Sequence, residues 1–204
     1  YINHYSASTG ELIRTVPVSN EVQCSYYPGN DIFTDDAGNF LISNLLLNIS
    51  NAPLKIYRVN VNTGEVQLVC SLTTNATSSG VRIDHCDVVG DVSTGNYTVF
   101  AAIANGKEVV RWAFNGGATP TCSVITAQNF CPSGATGIGI APRVFGINQN
   151  EVIVTGGNTH PTLYNFSTGR VSDSFANNPG IMPEGTEANG FTRFTFQGKN
   201  FMLY

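Results

Sequence analysis

The sequence predicts an all-β fold, a β-propeller built of four-stranded antiparallel blades and forming part of a larger ring. Three observations carry that expectation. Turn sequences recur at Thr9-Gly10, Thr63-Gly64, Gly116-Gly117 and Thr168-Gly169, with the glycines of each pair (Gly10, Gly64, Gly117, Gly169) stepping by 54, 53 and 52 residues. Each turn is flanked by strand-like segments, and a second hairpin falls between successive copies. Four antiparallel strands in each repeat of about 53 residues is the propeller-blade pattern; a solenoid needs shorter coils, and a sandwich does not repeat so regularly.

The clearest hairpin is residues 54–72. Tyr57, Val59 and Val61 alternate with Arg58 and Asn60, and Val66, Leu68, Cys70 and Leu72 alternate with Gln67 and Ser71. This period of two marks half-buried strands, and Gly64 offers the positive φ of a tight turn. The same flanks recur as His4-Tyr5 with Leu12-Ile13, Trp112 with Cys122, and Tyr164 with Val171. Lettering the strands of a blade a to d from the centre outward, these are c–d hairpins.

The a–b hairpins come between them. Ile32-Phe33 and 40–42 flank the turn 35–39; 81–89 and 97–100 flank 90–96. Next, 143–147 and 152–154 flank 148–150, and 191–196 and 201–203 flank 197–200. The domain expectation is a single propeller domain or propeller fragment over 1–204. Its whole blades span about 31–72, 81–126 and 142–176, with a c–d hairpin at 1–18 and an a–b hairpin at 191–204 that belong to split blades. Those two hairpins would complete one another if the ring closed within these residues, removing a sheet edge. The chain is expected to be processed or excised from a longer one.

Composition narrows the function. Of 204 residues only 12% are charged, and the formal net charge is −4. That balance gives no attraction to nucleic acid. No apolar run approaches the ~18 residues of a membrane span, so no transmembrane segment is expected. Five cysteines occur, at 24, 70, 86, 122 and 131, without a CxxC pair. Cys70, Cys86 and Cys122 fall in strand patterns as small apolar residues; a Cys122–Cys131 bridge or one involving Cys24 stays open. Glycosylation sequons stand at Asn48, Asn75, Asn96 and Asn165.

Residues 82–96, Arg-Ile-Asp-His-Cys-Asp-Val-Val-Gly-Asp-Val-Ser-Thr-Gly-Asn, with Val110-Arg-Trp-Ala-Phe, carry a family resemblance. With Asp35-Asp-Ala-Gly-Asn-Phe and Leu54-Lys-Ile-Tyr-Arg-Val, the sequence resembles uncharacterised β-propeller domains of surface lipoproteins from gut Bacteroidetes. The resemblance implies a secreted or cell-surface propeller, extracellular or periplasmic, often encoded near glycan- or peptide-uptake systems. It carries over no catalytic residues.

Candidate binding residues cluster in the loops expected on the ligand face. The d–a loops hold Tyr26, Tyr27 and Phe130, with Met182 and Glu184; the b–c loops hold Asn158, Thr159 and His160. Aromatic rings beside amides suit a glycan or peptide, and the alternative is that the rings plug gaps between blades. Arg82, Arg143 and Arg193 begin inner strands and would converge on an anionic ligand, or pair with nearby carboxylates. Asp84, His85, Asp87 and Asp91 form the densest polar cluster. A strand turns Asp84 and His85 to opposite faces, which disfavours a shared metal and favours His85 as a hydrogen-bonded residue between blades.

The Asp35-Asp36-Ala-Gly38-Asn39 turn lacks the downstream acid of a calcium loop. No GxSxG, HExxH, P-loop or dinucleotide fingerprint occurs, and no metal or cofactor is expected. The reading is a non-enzymatic secreted or surface propeller that binds a glycan, peptide or protein partner. The alternatives are a hydrolase or lyase using Asp84, His85 and Asp87, and a purely structural interaction module.

Overall fold

The computed structural model describes residues 1–17, 32–44, 53–73, 83–103, 108–126, 143–156, 159–172, 192–197 and 199–203. Within these every regular element is a strand, and every pairing is antiparallel. None of the described residues forms a helix.

The hairpin β1 (Ile2–Tyr5) and β2 (Leu12–Val16) stands as a two-stranded sheet. The first four-stranded sheet takes its strands in chain order: β3 (Ile32–Thr34), β4 (Phe40–Ser43), β5 (Leu54–Val59) and β6 (Val66–Leu72). The second holds β7 (Ile83–Asp91), β8 (Asn96–Ile103), β9 (Glu108–Asn115) and β10 (Thr121–Thr126). The third holds β11 (Arg143–Asn148), β12 (Glu151–Gly156), β13 (Thr159–Asn165) and β14 (Arg170–Ser172). A last hairpin pairs β15 (Thr192–Phe196) with β16 (Lys199–Leu203). Each of these sheets is open at both edges.

The repeated turn has a local cause. Asn60 Oδ1 accepts the N–H groups of Asn62 and Thr63, while Gly64 sits at φ 82° and donates its N–H to the Asn60 carbonyl at 2.8 Å. Asn165 and Gly169 repeat this, with Asn165 Oδ1 accepting from Ser167 and Thr168. At the β1–β2 turn Ser6 Oγ takes the acceptor role toward Thr9 N–H, and Gly10 again has positive φ. A short side-chain acceptor and a glycine four residues on are the whole requirement. The copy at Gly116-Gly117 departs: the positive φ belongs to Gly116, whose N–H bonds the Gly95 carbonyl of the β7–β8 turn at 3.0 Å.

Two readings of the hairpins shift by a few residues. The β7–β8 ladder runs on through Gly90 to Asp91↔Asn96, so the turn is shorter than 90–96. Gly90 stays in the ladder at φ 98°, because a Cβ there would meet the Asn96 carbonyl oxygen at 2.5 Å. Thr159 and His160, expected in a loop, belong to β13, where Gly156↔Thr159 extends the pairing with β12.

Packing follows strand alternation. The second sheet is covered on both faces, so β8 is buried along seven of its eight residues. On one face Val88, Tyr97, Val99, Ala101 and Trp112 meet Leu41, Leu54, Ile56 and Leu72 of the first sheet. On the other, Val89, Phe100, Ala102 and Val109 meet Val144, Val152, Val154 and Tyr164 of the third. The β1–β2 hairpin covers the far face of the first sheet through Val16 against Ile42, Tyr57 and Val59.

Candidate functional site

The polar residues that the first strands of neighbouring sheets bring together lie at the junction of β7 and β11. Among the described strands β11 pairs with β12 alone, on one side. Its other edge would leave N–H groups bare, and a buried unpaired N–H costs about 1–3 kcal/mol. Side chains of β7 fill the gap. His85 Nδ1 accepts the Val144 N–H at 3.3 Å, and Asp87 Oδ2 accepts the Gly146 N–H at 2.8 Å. His85 and Asp87 are two apart on one strand, so they project to one face and meet alternate residues of the neighbour.

The His85 ring also tilts against Phe145, centroids 5.0 Å apart. Burial and then the nearby Arg143 guanidinium push the His85 imidazole down to about 3, so it is neutral over the ordinary pH range. A neutral ring that accepts at Nδ1 carries its proton on Nε2. Asp87 is nearly buried, and its Oδ1 accepts the Val88 N–H at 2.9 Å.

The acidic turn 35–39 is likewise committed. Asp35 Oδ1 accepts from the Ala37 and Asn39 N–H groups, and Asp35 Oδ2 from Asn39 Nδ2 and from Val92 N–H of the second sheet. Asp36 Oδ2 accepts from Gly90 N–H at 2.7 Å. Asp91 Oδ1 accepts from Ser93 and Asn39, and hydrogen bonds from Ser93 lead in holding its carboxyl below the usual range. These oxygens face donors, the reverse of what a calcium ion needs. Among the described residues no group of three or more His, Cys, Asp or Glu is placed to hold a metal.

Arg111 is the corresponding link between the second and third sheets. Its Nε donates to the Gln149 carbonyl at 2.7 Å, its Nη2 to Asn150 Oδ1 at 2.8 Å, and its guanidinium lies over the Phe166 ring. Sequence reading missed this residue. Its signal was there: a lone arginine in the apolar run Val109-Val110-Arg111-Trp112-Ala113 must find partners where it points.

Of the expected binding residues, Arg143 opens β11, His160 lies in β13 and Arg193 in β15. Tyr26, Tyr27, Arg82, Phe130 and Asn158 lie outside the described residues, as do Met182 and Glu184. Asp84 is in β7, beside the register shift between Ile83 and His85. Cys70, Cys86 and Cys122 are free thiols, while Cys24 and Cys131 lie outside the described residues. Burial raises the Cys70 thiol to about 12, offset in part by its contact with Tyr97.

A half-open cleft of about 530 Å³ lies elsewhere, between the first and second sheets. Residues 67–71 of β6 form one wall, and the β7–β8 and β9–β10 turns form the other.

No protein-family profile and no curated protein matches the sequence. Among solved structures, a DUF4623 family protein from Bacteroides eggerthii is similar over 62% of this chain, at 14% identity and a TM-score of 0.43. The similarity covers 28% of that protein's chain.

Proposed function

We propose that the sheets are blades of a β-propeller, part of a larger ring, and that the protein is a non-enzymatic secreted or cell-surface module that binds a glycan, peptide or protein partner. The observation that carries this reading is the junction of first strands. β7 packs beside β11, and the turn that follows β3 hydrogen-bonds to Gly90 and Val92 at the end of β7, so neighbouring sheets meet through their innermost strands. Sheets joined that way fan out around an axis, and their connecting loops gather at its ends. The blade boundaries 31–72, 81–126 and 142–176 and the split hairpins at 1–18 and 191–204 belong to this reading.

The use of His85 and Asp87 favours binding over hydrolysis or lysis. A general base must be within hydrogen-bond reach of a substrate proton. His85 Nδ1 and Asp87 Oδ2 instead hold backbone N–H groups of the next sheet. Tyr26, Tyr27, Arg82, Phe130, Arg143, Asn158, His160 and Arg193 are the residues assigned to the ligand.

A thermal-shift screen with glycans and peptides tests the reading. A true ligand at about a hundred times its Kd adds about 2.7 kcal/mol, which raises Tm by about 5–10 °C for a domain of this size. Replacing Tyr26 and Tyr27 together by alanine abolishes that shift. A catalogue of glycans and peptides that leaves Tm unmoved favours the structural module. Turnover of any of them that vanishes on Asp87→Asn with folding intact restores the enzyme.

A further inference from the structure

We propose that the outer strand β6 is a second docking site, which takes an extended peptide carrying a carboxylate side chain into the cleft beside it. Strand β6 ends its sheet and pairs only with β5 among the described strands. An edge strand offers a row of unpaired backbone N–H and C=O groups, the template for strand addition. Here that edge borders a hollow. Five consecutive residues, Gln67, Leu68, Val69, Cys70 and Ser71, line the cleft. The cleft therefore follows the strand for about 16 Å, the length of five extended residues, across a register shift at Val69, where Cys70 pairs with Ile56 and Leu68 with Tyr57.

The far wall is made of small and turn residues, including Ser93, Gly95, Gly117 and Ala118. A further backbone beside β6 would sit at the ~4.8 Å inter-strand spacing. Apolar contacts come from Val69 and Val92. An extended peptide turns alternate side chains to opposite faces, so one set meets these residues and the other meets solvent.

The charge of the lining selects the side chain. Among the described residues that line the cleft Arg58 is the one charged side chain, with no carboxylate beside it. Its Nη2 donates to Gln67 Oε1 at 2.8 Å, which holds the guanidinium on the face of the β5–β6 pair. A carboxylate is the fitting partner for that planar group. A glycan fits less well. Sugar recognition uses an open aromatic face, whereas Tyr97 and Phe114, the two rings of the lining, stack on one another at 4.4 Å and are 4% exposed each.

The test uses a fluorescent, end-blocked peptide of about seven residues that alternates valine and threonine around a central glutamate. Its control has lysine in place of glutamate. Anisotropy is expected to show the glutamate peptide binding about tenfold more tightly than the lysine peptide. Arg58→Gln removes the preference, and Ala118→Trp, in an exposed turn, fills the cleft and abolishes binding of both. Amide shifts on the unaltered protein, which need no variant to fold, are expected to concentrate on 67–71. Equal binding of the two peptides, binding that survives Ala118→Trp, shifts centred away from β6, or no binding at about 1 mM overturns the proposal.

Discussion

Gly146 shows how closely two sheets approach at a single residue. A Cβ there would lie 3.0 Å from the Phe100 ring and closer still to the Val89 side chain. Its N–H is also the donor to Asp87. Gly146→Ala is therefore expected to lower stability by about 1–3 kcal/mol through overpacking, measured by urea unfolding. His85 makes a prediction in pH. Its folded-state value, near 3, lies well below the ordinary ~6.5 of the unfolded chain. Between those values the unfolded chain binds a proton that the folded one does not, so stability falls as pH falls. From pH ~6.5 to ~5, where most carboxylates are still ionised, Tm is expected to drop, and His85→Gln, which still offers an acceptor to Val144, flattens the slope. An equal slope in both proteins removes His85 as the cause. The role of His85 as a hydrogen-bonded link between neighbouring sheets was legible in the polar cluster it belongs to, although a register shift interrupts the alternation between Ile83 and His85. The role of Gly146 was not, since nothing in Val-Phe-Gly-Ile says which neighbour it faces.

At the scale of elements, hairpins are the most legible feature, because each turn is specified by residues within six positions of one another. Asn60 to Gly64 and Asn165 to Gly169 share one set of hydrogen bonds, and the register pairs Trp112 with Cys122 and Tyr164 with Val171, as the flanking residues suggest. Where the reading slipped, a glycine inside a ladder looked like a turn: Gly90 is there for close backbone approach. The turn 35–39 has a second use that its own sequence does not announce, since it docks on Gly90 and Val92. Asp35 is 4% exposed and accepts four hydrogen bonds, three from within the turn and one from Val92. Asp35→Ala is expected to cost about 2–4 kcal/mol, from several donors left unmet at ~1 kcal/mol each. A loss no larger than that of Asn60→Ala, in an exposed turn, would make the docking unimportant.

Across the whole molecule, the open sheets meet face to face and through their first strands. The four-strand repeat was legible because its period is long and regular; the partners across sheets were not, because they join residues 38 to 59 positions apart. Much of the expected binding surface falls in connecting segments, whose residues follow neither strand period nor turn rule. Side chains of β7 complete the bare edge of β11, which makes His85 and Asp87 architectural. Native-state hydrogen exchange at the Val144 and Gly146 amides tests it most directly. Both are expected to be protected like ladder amides, and Asp87→Ala is expected to speed Gly146 exchange about tenfold or more, the worth of one buried hydrogen bond. Rapid exchange at both positions in the unaltered protein, or no change on Asp87→Ala, would contradict it.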